Sequence, residues 1–183
     1  VPPQMIGLRI EAAMAFATGH HGTTQGCLVL LDRIARRGEK AARIADIGCG
    51  TGVLAMAAAK LWRARCVATD IDEVAVMTAR ENAAANGLSP WIRTGRAAGL
   101  RHELLRHEAP WHLILANILA APLKRLAPEI ARHLAPGGIA ILSGLLSHQA
   151  AGVVAVFAGH GLALEERVQI GEWTSLALRK PRG

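Results

Sequence analysis

The sequence predicts an α/β fold with an open, doubly wound sheet whose strands are mostly parallel. Short apolar segments alternate with helical segments of about a dozen residues, which is typical of right-handed crossover units in a parallel sheet. A glycine-rich turn follows the first of these strands. The last two strand segments are separated only by a short turn around Gly171, so we expect them to pair antiparallel.

The predicted elements follow one another in a regular order. Apolar residues at helical spacing indicate the helices, and short apolar runs bounded by Gly, Pro or polar residues indicate the strands. Seven strands are predicted, at 43–47, 65–69, 91–94, 112–116, 139–143, 162–169 and 174–179. Helices are predicted at 24–37, 52–62, 73–86, 119–134 and 147–158. The segment 136–138, with the sequence PGG, is predicted to be the turn before the fifth strand.

The composition suits one domain of this kind, and we expect residues 1–183 to form it. Hydrophobic residues make up 51% of the chain and aromatic residues only 3%, so Leu, Ile, Val and Ala must fill the core. No apolar run reaches the roughly 20 residues of a membrane span. No signal peptide opens the chain, so we expect a cytoplasmic location without membrane contact.

The strongest local motif is the segment 46–52, which reads DIGCGTG between the first strand and its helix. Glycines let a backbone turn tightly beside a ligand, and the helix start adds free N–H groups. The spacing differs from the G-x-G-x-x-G of dinucleotide sites, and no Lys follows as in a triphosphate loop. It therefore disfavours an NAD-dependent oxidoreductase. An ordinary glycine-rich turn without a ligand is the alternative.

An acidic residue ends the second predicted strand. Asp70 lies about 20 residues beyond the glycine loop, where related folds place a carboxylate on ribose hydroxyls. Asp72 is the alternative ribose ligand, and its other expected role is to cap the helix that begins near Glu73. We favour Asp70 for the ribose.

Two further segments bear on the substrate. Segment 15–24, AFATGHHGTT, is polar and leads into the first helix. We interpret it as a loop over the cofactor rather than a metal site, because the adjacent His20 and His21 cannot easily converge on one ion. Asn117 follows the fourth strand, and its carbonyl oxygen can hold a substrate amine by an N–H. The alternative for Asn117 is a helix N-cap.

The basic residues and the cysteines say less about function than these motifs do. The formal net charge is +7, and many basic residues lie between Arg33 and Arg65. Such a face could attract RNA or a ribosomal surface. The alternative is a solvated surface without a partner, because no aromatic residues interleave the charges. Cys27, Cys49 and Cys66 are odd in number and widely spaced, so we expect buried, reduced thiols.

Segment 46–52 followed by Asp70 resembles motif I and its acidic partner in class I S-adenosylmethionine-dependent methyltransferases. That resemblance implies a Rossmann-like, seven-stranded sheet with an antiparallel C-terminal strand. With the loop 16–24 and the ANIL sequence at 116–119, the chain resembles the PrmA family, which trimethylates protein eleven of the large ribosomal subunit. Further matches, over a resemblance that spans 10–179, lie at 70–72, 79–83 and 142–144.

The resemblance implies S-adenosyl-L-methionine as the cofactor and no metal. It implies that Lys side chains or the N-terminal amine of a large-subunit ribosomal protein are methylated. Asn117 is the expected catalytic residue, which holds the amine, and no general base is evident. Phe16 and Thr18 match the loop that folds over the site. The expected cofactor-binding residues are Thr24, Asp46, Gly48, Gly50, Asp70 and Asn117.

The sequence departs from the family pattern in several places. The common acidic residue near the adenine is absent after the third strand, where segment 94–96 reads TGR. Adenine contacts are therefore expected mainly from backbone and apolar groups. Ala17 stands where the family loop usually has Gly, and Gly22 stands where it often has Pro.

The family's small amino-terminal recognition domain is missing from a chain that starts at Val1, so we expect a fragment of a longer polypeptide. Two alternative functions remain open from the sequence. One is a methyltransferase for another protein or a small amine. The other is an inactive module that binds cofactor or RNA.

Overall fold

A computed structural model of the chain describes residues 5, 7 and 21–183, without the side chain of His21. These residues form a seven-stranded sheet with helices on both faces. The strands are β1 (Arg43–Ile47), β2 (Arg65–Asp70), β3 (Ile92–Arg96), β4 (Trp111–Asn117), β5 (Leu134–Leu146), β6 (Ala163–Ile170) and β7 (Trp173–Arg179). The helices are α1 (His21–Arg36), α2 (Val53–Trp62), α3 (Glu73–Ala85), α4 (Glu103–His107), α5 (Ala120–His133) and α6 (Ala150–Ala158).

The strand order is β3-β2-β1-β4-β5-β7-β6. Strands β1 to β5 are parallel, and β7 pairs antiparallel with both β5 and β6. The chain moves outward from β1 to β3 and then returns to place β4 on the other side of β1. This reversal creates a crevice at the carboxyl ends of β1 and β4, where doubly wound sheets bind ligands. The predicted fold class is confirmed.

Two apolar layers enclose the sheet because successive strand residues point to opposite faces. Ile44 packs with α1, α2 and α3, whereas the next residue, Ala45, packs with α4, α5 and α6. Helix α2 is buried along six consecutive residues, from Leu54 to Ala59. Its small alanines allow close packing on the sheet, which brings the start of this helix against the end of β1.

Three elements differ from the sequence prediction. Strand β5 begins at Leu134 and runs through the predicted turn 136–138, because Leu134 pairs with Trp111 and the Gly137 N–H donates to the Lys180 carbonyl. Helix α4 was not expected. Its cap is His102, whose Nδ1 accepts a hydrogen bond from the Leu104 N–H at 3.1 Å. The last predicted helix begins instead with a 3₁₀ turn, Ser147–Gln149.

The three cysteines are buried and unpaired, as predicted. Desolvation raises the pKa of the Cys27 thiol to about 12, and it also raises the pKa values of Cys49 and Cys66. The negative charge of the nearby Asp46 carboxyl adds to all three shifts. In the part of the chain that the structure describes, no helix is long and apolar enough to cross a membrane.

Candidate functional site

A cavity of about 920 Å³ opens at the carboxyl edge of the sheet. Gly48 after β1, Asp70 at the end of β2 and Asn117 at the end of β4 all line it. Its other walls are largely apolar, with contributions from the loop 97–99 and from Leu119. This volume lies within the range of about 300–1,000 Å³ that is usual for small-molecule sites. The structure thus brings three predicted site residues to one cavity.

The glycine loop needs its glycines for two physical reasons. Gly48, Gly50 and Gly52 have φ angles of 67°, 54° and 82°, a region that other residues adopt only with strain. A Cβ atom on Gly48 would also lie 2.5 Å from the Ile118 Cγ2 atom, and one on Gly52 would lie 3.1 Å from the Ala79 Cβ atom. The loop therefore packs closely against both the segment after β4 and α3.

Asp70 organises the loop and faces the cavity. Its Oδ2 accepts a hydrogen bond from the Gly50 N–H at 3.0 Å, and its Oδ1 accepts one from the Asp72 N–H at 2.9 Å. An ionised carboxylate has about four acceptor sites, so each oxygen can still accept a ligand hydroxyl. Asp72 instead caps α3, accepting the Val74 N–H at 2.9 Å. The ribose contact of Asp70 stays a prediction.

Asp46 lies beneath the loop and is 1% exposed. Its Oδ2 accepts a hydrogen bond from the Ala55 N–H at 3.1 Å, while Oδ1 has no partner among the described residues. Desolvation raises the pKa of Asp46 to about 7, and the charge of Asp70 adds to that increase. The hydrogen bond from Ala55 fixes the start of α2 to β1. The predicted cofactor contact of Asp46 is untested and stays a prediction.

Asn117 is half-buried at the end of β4, level with Ser143 on β5. Its side-chain amide makes no hydrogen bond within residues 21–183. Leu119, rather than Asn117, is the N-cap residue of α5, so the alternative role of Asn117 as a helix cap is wrong. The amide can therefore bind a ligand group, as the predicted catalytic role requires.

Ile118 is held between two glycines, and this fixes the backbone next to Asn117. On one side, its Cγ2 atom occupies the space that a side chain at Gly48 would need. On the other side, a Cβ atom on Gly144, which has a φ of 85°, would collide with the Ile118 backbone. Strand β5 thus approaches the segment after β4 closely enough to restrict its conformation.

The start of α1 lies on the β5 side of Asn117. The Ser143 hydroxyl donates to the Thr23 carbonyl at 3.2 Å and is 2.7 Å from the Ser175 hydroxyl. Thr24, in the first turn of α1, is half-buried. Its predicted cofactor contact stays a prediction. Phe16 and Thr18, the predicted loop residues, lie outside the described residues.

Three charged residues of the cavity wall, Arg101, Arg125 and Glu129, were not predicted from the sequence. Glu129 on α5 lines the cavity, and its Oε1 lies 3.5 Å from the Arg101 Nε atom. Its Oε2 is buried and has no hydrogen-bond partner among the described residues. Positions 122, 125, 126 and 129 share one helix face by their spacing, which is the signal that could have placed Glu129 here.

A second cavity, of about 670 Å³, lies at the opposite edge of the sheet. Arg179 crosses it and makes hydrogen bonds of 2.7–2.9 Å to both carboxylate oxygens of Glu39 and both of Glu165. Arg37 and Lys40 also line this cavity. Across residues 5, 7 and 21–183, no three His, Cys, Asp or Glu residues form a group that could hold a metal ion.

Comparison with known proteins identifies a family. The family model described as ribosomal protein L11 methyltransferase (PrmA) matches residues 2–181. A ribosomal protein L11 methyltransferase from Bradyrhizobium diazoefficiens is 47% identical over 98% of this chain. One from Rhodopseudomonas palustris is 46% identical over the same share. The chain spans 61% of the length of each of these relatives.

Solved structures agree with this similarity. The ribosomal protein L11 methylase from Lactobacillus delbrueckii subsp. bulgaricus is 33% identical, with a TM-score of 0.78 over 87% of this chain and 80% of that one. A methyltransferase from Pyrococcus furiosus is 19% identical, with a TM-score of 0.73 over 97% of this chain and 91% of that one, and shares the fold. From the family match and the Lactobacillus structure together, the chain belongs to the ribosomal protein L11 methyltransferase (PrmA) family.

Proposed function

We propose that this chain carries the methyl-transfer site of an S-adenosylmethionine-dependent enzyme that methylates amino groups of ribosomal protein L11. The observation that carries the proposal is the cavity at the carboxyl edge, where Gly48, Asp70 and Asn117 meet. Relatives named ribosomal protein L11 methyltransferase match almost the whole chain, and this supports the choice of substrate.

The groups around the cavity fit S-adenosylmethionine. Asp70 has acceptor capacity left for two ribose hydroxyls after its hydrogen bonds to Gly50 and Asp72. The glycine loop lets the backbone approach a ligand closely, and the start of α2 favours a carboxylate there. The apolar side chains of Ile71 and Ile118 suit the flat faces of a base. When bound, this cofactor supplies a methyl group on a sulfonium sulfur.

Asn117 is the residue that we assign to the substrate amine. Its carbonyl oxygen would accept an N–H of the amine and so orient the nitrogen lone pair. A free Lys amine has a pKa of about 10.4 and must lose its proton before it can attack. The largely apolar cavity wall disfavours the charged form of an amine and lowers the pKa of that amine. We assign no general base.

The setting of the reaction is part of the same proposal. From the proposed ribosomal protein substrate we infer a cytoplasmic location. RNA contact through the basic surface between Arg33 and Arg65 has less support, because nearby carboxylates neutralise part of that surface. Arg33 pairs with Glu166 at 3.4 Å, and Arg36 pairs with Asp32 at 2.8 Å.

The test is methyl transfer from radiolabelled S-adenosylmethionine to purified L11, with the full-length Bradyrhizobium relative assayed in parallel. We expect label on L11 amino groups, identified by mass spectrometry of its peptides. Label on other proteins of a ribosomal extract, with none on L11, would contradict the substrate. Cofactor binding without transfer to any protein would support an inactive module instead.

A further inference from the structure

Two buried serine hydroxyls hold the first turn of α1 on the sheet. The Ser143 hydroxyl of β5 donates to the Thr23 carbonyl at 3.2 Å and lies 2.7 Å from the Ser175 hydroxyl of β7. Both serines are buried. A hydroxyl has one proton, and the proton of Ser143 goes to the carbonyl, so Ser175 must donate to Ser143. The two hydroxyls therefore form a directed chain of hydrogen bonds that ends on the backbone of α1.

Two glycines let α1 approach β7 closely enough for this contact. Gly22 and Gly26 are four residues apart and share one face of the helix. A Cβ atom on Gly26 would collide with the Ser175 hydroxyl, and one on Gly22 would lie 3.0 Å from the Trp173 Cδ1 atom. Because the packing leaves no space for side chains at these two positions, the first turn of α1 lies at a fixed distance from the sheet.

This anchored turn is close to the proposed site. Ser143 is the Cα partner of Asn117 on β4, and neighbouring strands are about 4.8 Å apart. Thr24 follows the anchored Thr23 directly and is half-buried. The hydrogen bond from Ser143 thus holds the backbone beside Thr24, one strand away from the residue that we assign to the substrate amine.

We propose that Ser143 is a positioning residue for the cofactor, which acts through Thr24 by fixing the first turn of α1. The inference rests on the function proposed above and on the predicted cofactor contact of Thr24. The Ser143 side chain is buried and bonded to Thr23, so it holds the helix rather than the ligand. Without its hydroxyl, the turn can shift on β5, and a shift of Thr24 weakens cofactor binding.

The test measures the affinity for S-adenosylhomocysteine by isothermal titration calorimetry. In Ser143→Ala, we expect the affinity to fall about fivefold to tenfold, as the loss of one hydrogen bond predicts. Ser147→Ala is the matched control. The Ser147 hydroxyl also bonds to a backbone carbonyl and to a hydroxyl of β7, those of Glu172 at 3.1 Å and Thr174 at 2.9 Å, but neither belongs to α1. This control should lose similar thermal stability and keep the wild-type affinity.

A double variant separates positioning from a general structural effect. If Ser143 acts through Thr24, the contact that is lost in Thr24→Ala cannot be lost again. Adding Ser143→Ala to Thr24→Ala should therefore reduce the affinity by less than about twofold, whereas independent effects would multiply. In Ser143→Ala alone, turnover of L11 at saturating cofactor should stay within about twofold, so that the change appears in the KM for the cofactor.

Three results would overturn the inference. They are wild-type affinity in a Ser143→Ala variant that circular dichroism shows to be folded, an equal loss of affinity in Ser147→Ala, and multiplied losses in the double variant. If Ser143→Ala does not fold, Ser175→Ala decides the question, because it removes the donor to Ser143, and unchanged affinity there contradicts the role. If the wild-type chain does not bind S-adenosylhomocysteine, the proposed function itself fails.

Discussion

The two cavities at opposite edges of the sheet differ in how their polar groups are satisfied. At the amino edge, Arg179 is hydrogen-bonded to two carboxylates, and His112 Nδ1 accepts the N–H groups of Ala42 and Arg43, each at 3.1 Å. At the carboxyl edge, the half-buried Asn117 amide lines the cavity, and Glu129 Oε2 is buried without a hydrogen-bond partner among the described residues. The ligand site thus presents polar groups such as the Asn117 amide to its cavity, whereas the guanidinium at the amino edge is held by carboxylates.

The difference has a physical reason. Charged groups that hydrogen-bond to one another have little hydrogen-bonding capacity left for a ligand. They stabilise the fold instead. A ligand site must keep its polar groups accessible and prevent them from hydrogen-bonding to each other. Here the apolar walls and the restricted backbone beside Ile118 do this. The comparison can be tested by removing groups from each edge in turn.

The largest effect is expected at Asn117. Asn117→Ala removes the acceptor that orients the amine, so turnover should fall by at least about 100-fold. Affinity for S-adenosylmethionine should change by less than about tenfold, since Asp70 and the loop remain. Rate assays and calorimetry on the same preparation separate the two effects. A loss of binding with normal turnover at saturation would show that Asn117 does not hold the amine.

Asp70 should control the affinity for the cofactor rather than the turnover. Asp70→Ala removes the ribose acceptors and the anchor of Gly50, so S-adenosylhomocysteine affinity should fall by about 100-fold. Asp72→Ala is the matched control, because it removes a helix cap and should cost only about 1 kcal/mol of stability. Calorimetry gives the affinities, and thermal unfolding gives the stabilities. Similar affinities in the two variants would contradict the choice of Asp70.

Asp46 predicts a pH dependence of stability. Burial raises its pKa from the ordinary 3.8 of an Asp carboxyl to about 7, so between these values the folded protein keeps a proton that the unfolded chain has released. Stability is therefore lost as pH rises through this window. Relative to Asp46→Asn, wild type should lose about 1.4 kcal/mol per pH unit between about pH 5 and 6.5. Urea unfolding at several pH values measures this, and parallel curves would refute it.

The smallest effect is expected at the amino edge. Arg179→Met keeps much of the side-chain volume but removes the hydrogen bonds to Glu39 and Glu165 and leaves them only Arg37, at 3.9 Å from each. We expect the free energy of unfolding to fall by about 2 kcal/mol, with S-adenosylhomocysteine affinity unchanged. Arg36→Met, which breaks an exposed pair with Asp32, should cost less than about 0.5 kcal/mol. A change of nucleoside affinity in Arg179→Met would remove the distinction between the two cavities.

Local sequence signals were sufficient for much of the fold. The strand–glycine–helix turn around Gly50 and the antiparallel pair at the C-terminus were both predicted, because their signals lie within a few neighbouring residues. The early start of β5 was not, because it depends on pairing with Trp111 and on the distant Lys180 carbonyl. Helix α4 has only five residues and a His cap, so it carries little periodicity.

The site residues fall into the same two groups: those with local sequence signals and those that depend on tertiary packing. Gly48, Asp70 and Asn117 follow strands, so the carboxyl ends of a parallel sheet bring them together once the topology is known. Glu129 lies in the middle of a helix. Its spacing groups it with positions 122, 125 and 126 on one face, and tertiary packing then shows that this face meets the cavity. The burial of Asp46 and its unpaired oxygen also depend on the packed loop, which no residue spacing reveals.

The burial of all three cysteines has a practical consequence for measuring stability. Thiolates are the reactive form of cysteine, and the raised pKa values of these thiols make them scarce in the folded chain. Alkylating reagents should therefore modify the chain only when it opens. The labelling rate of each cysteine, followed by mass spectrometry, would report the opening equilibrium of its own part of the sheet without any engineered probe.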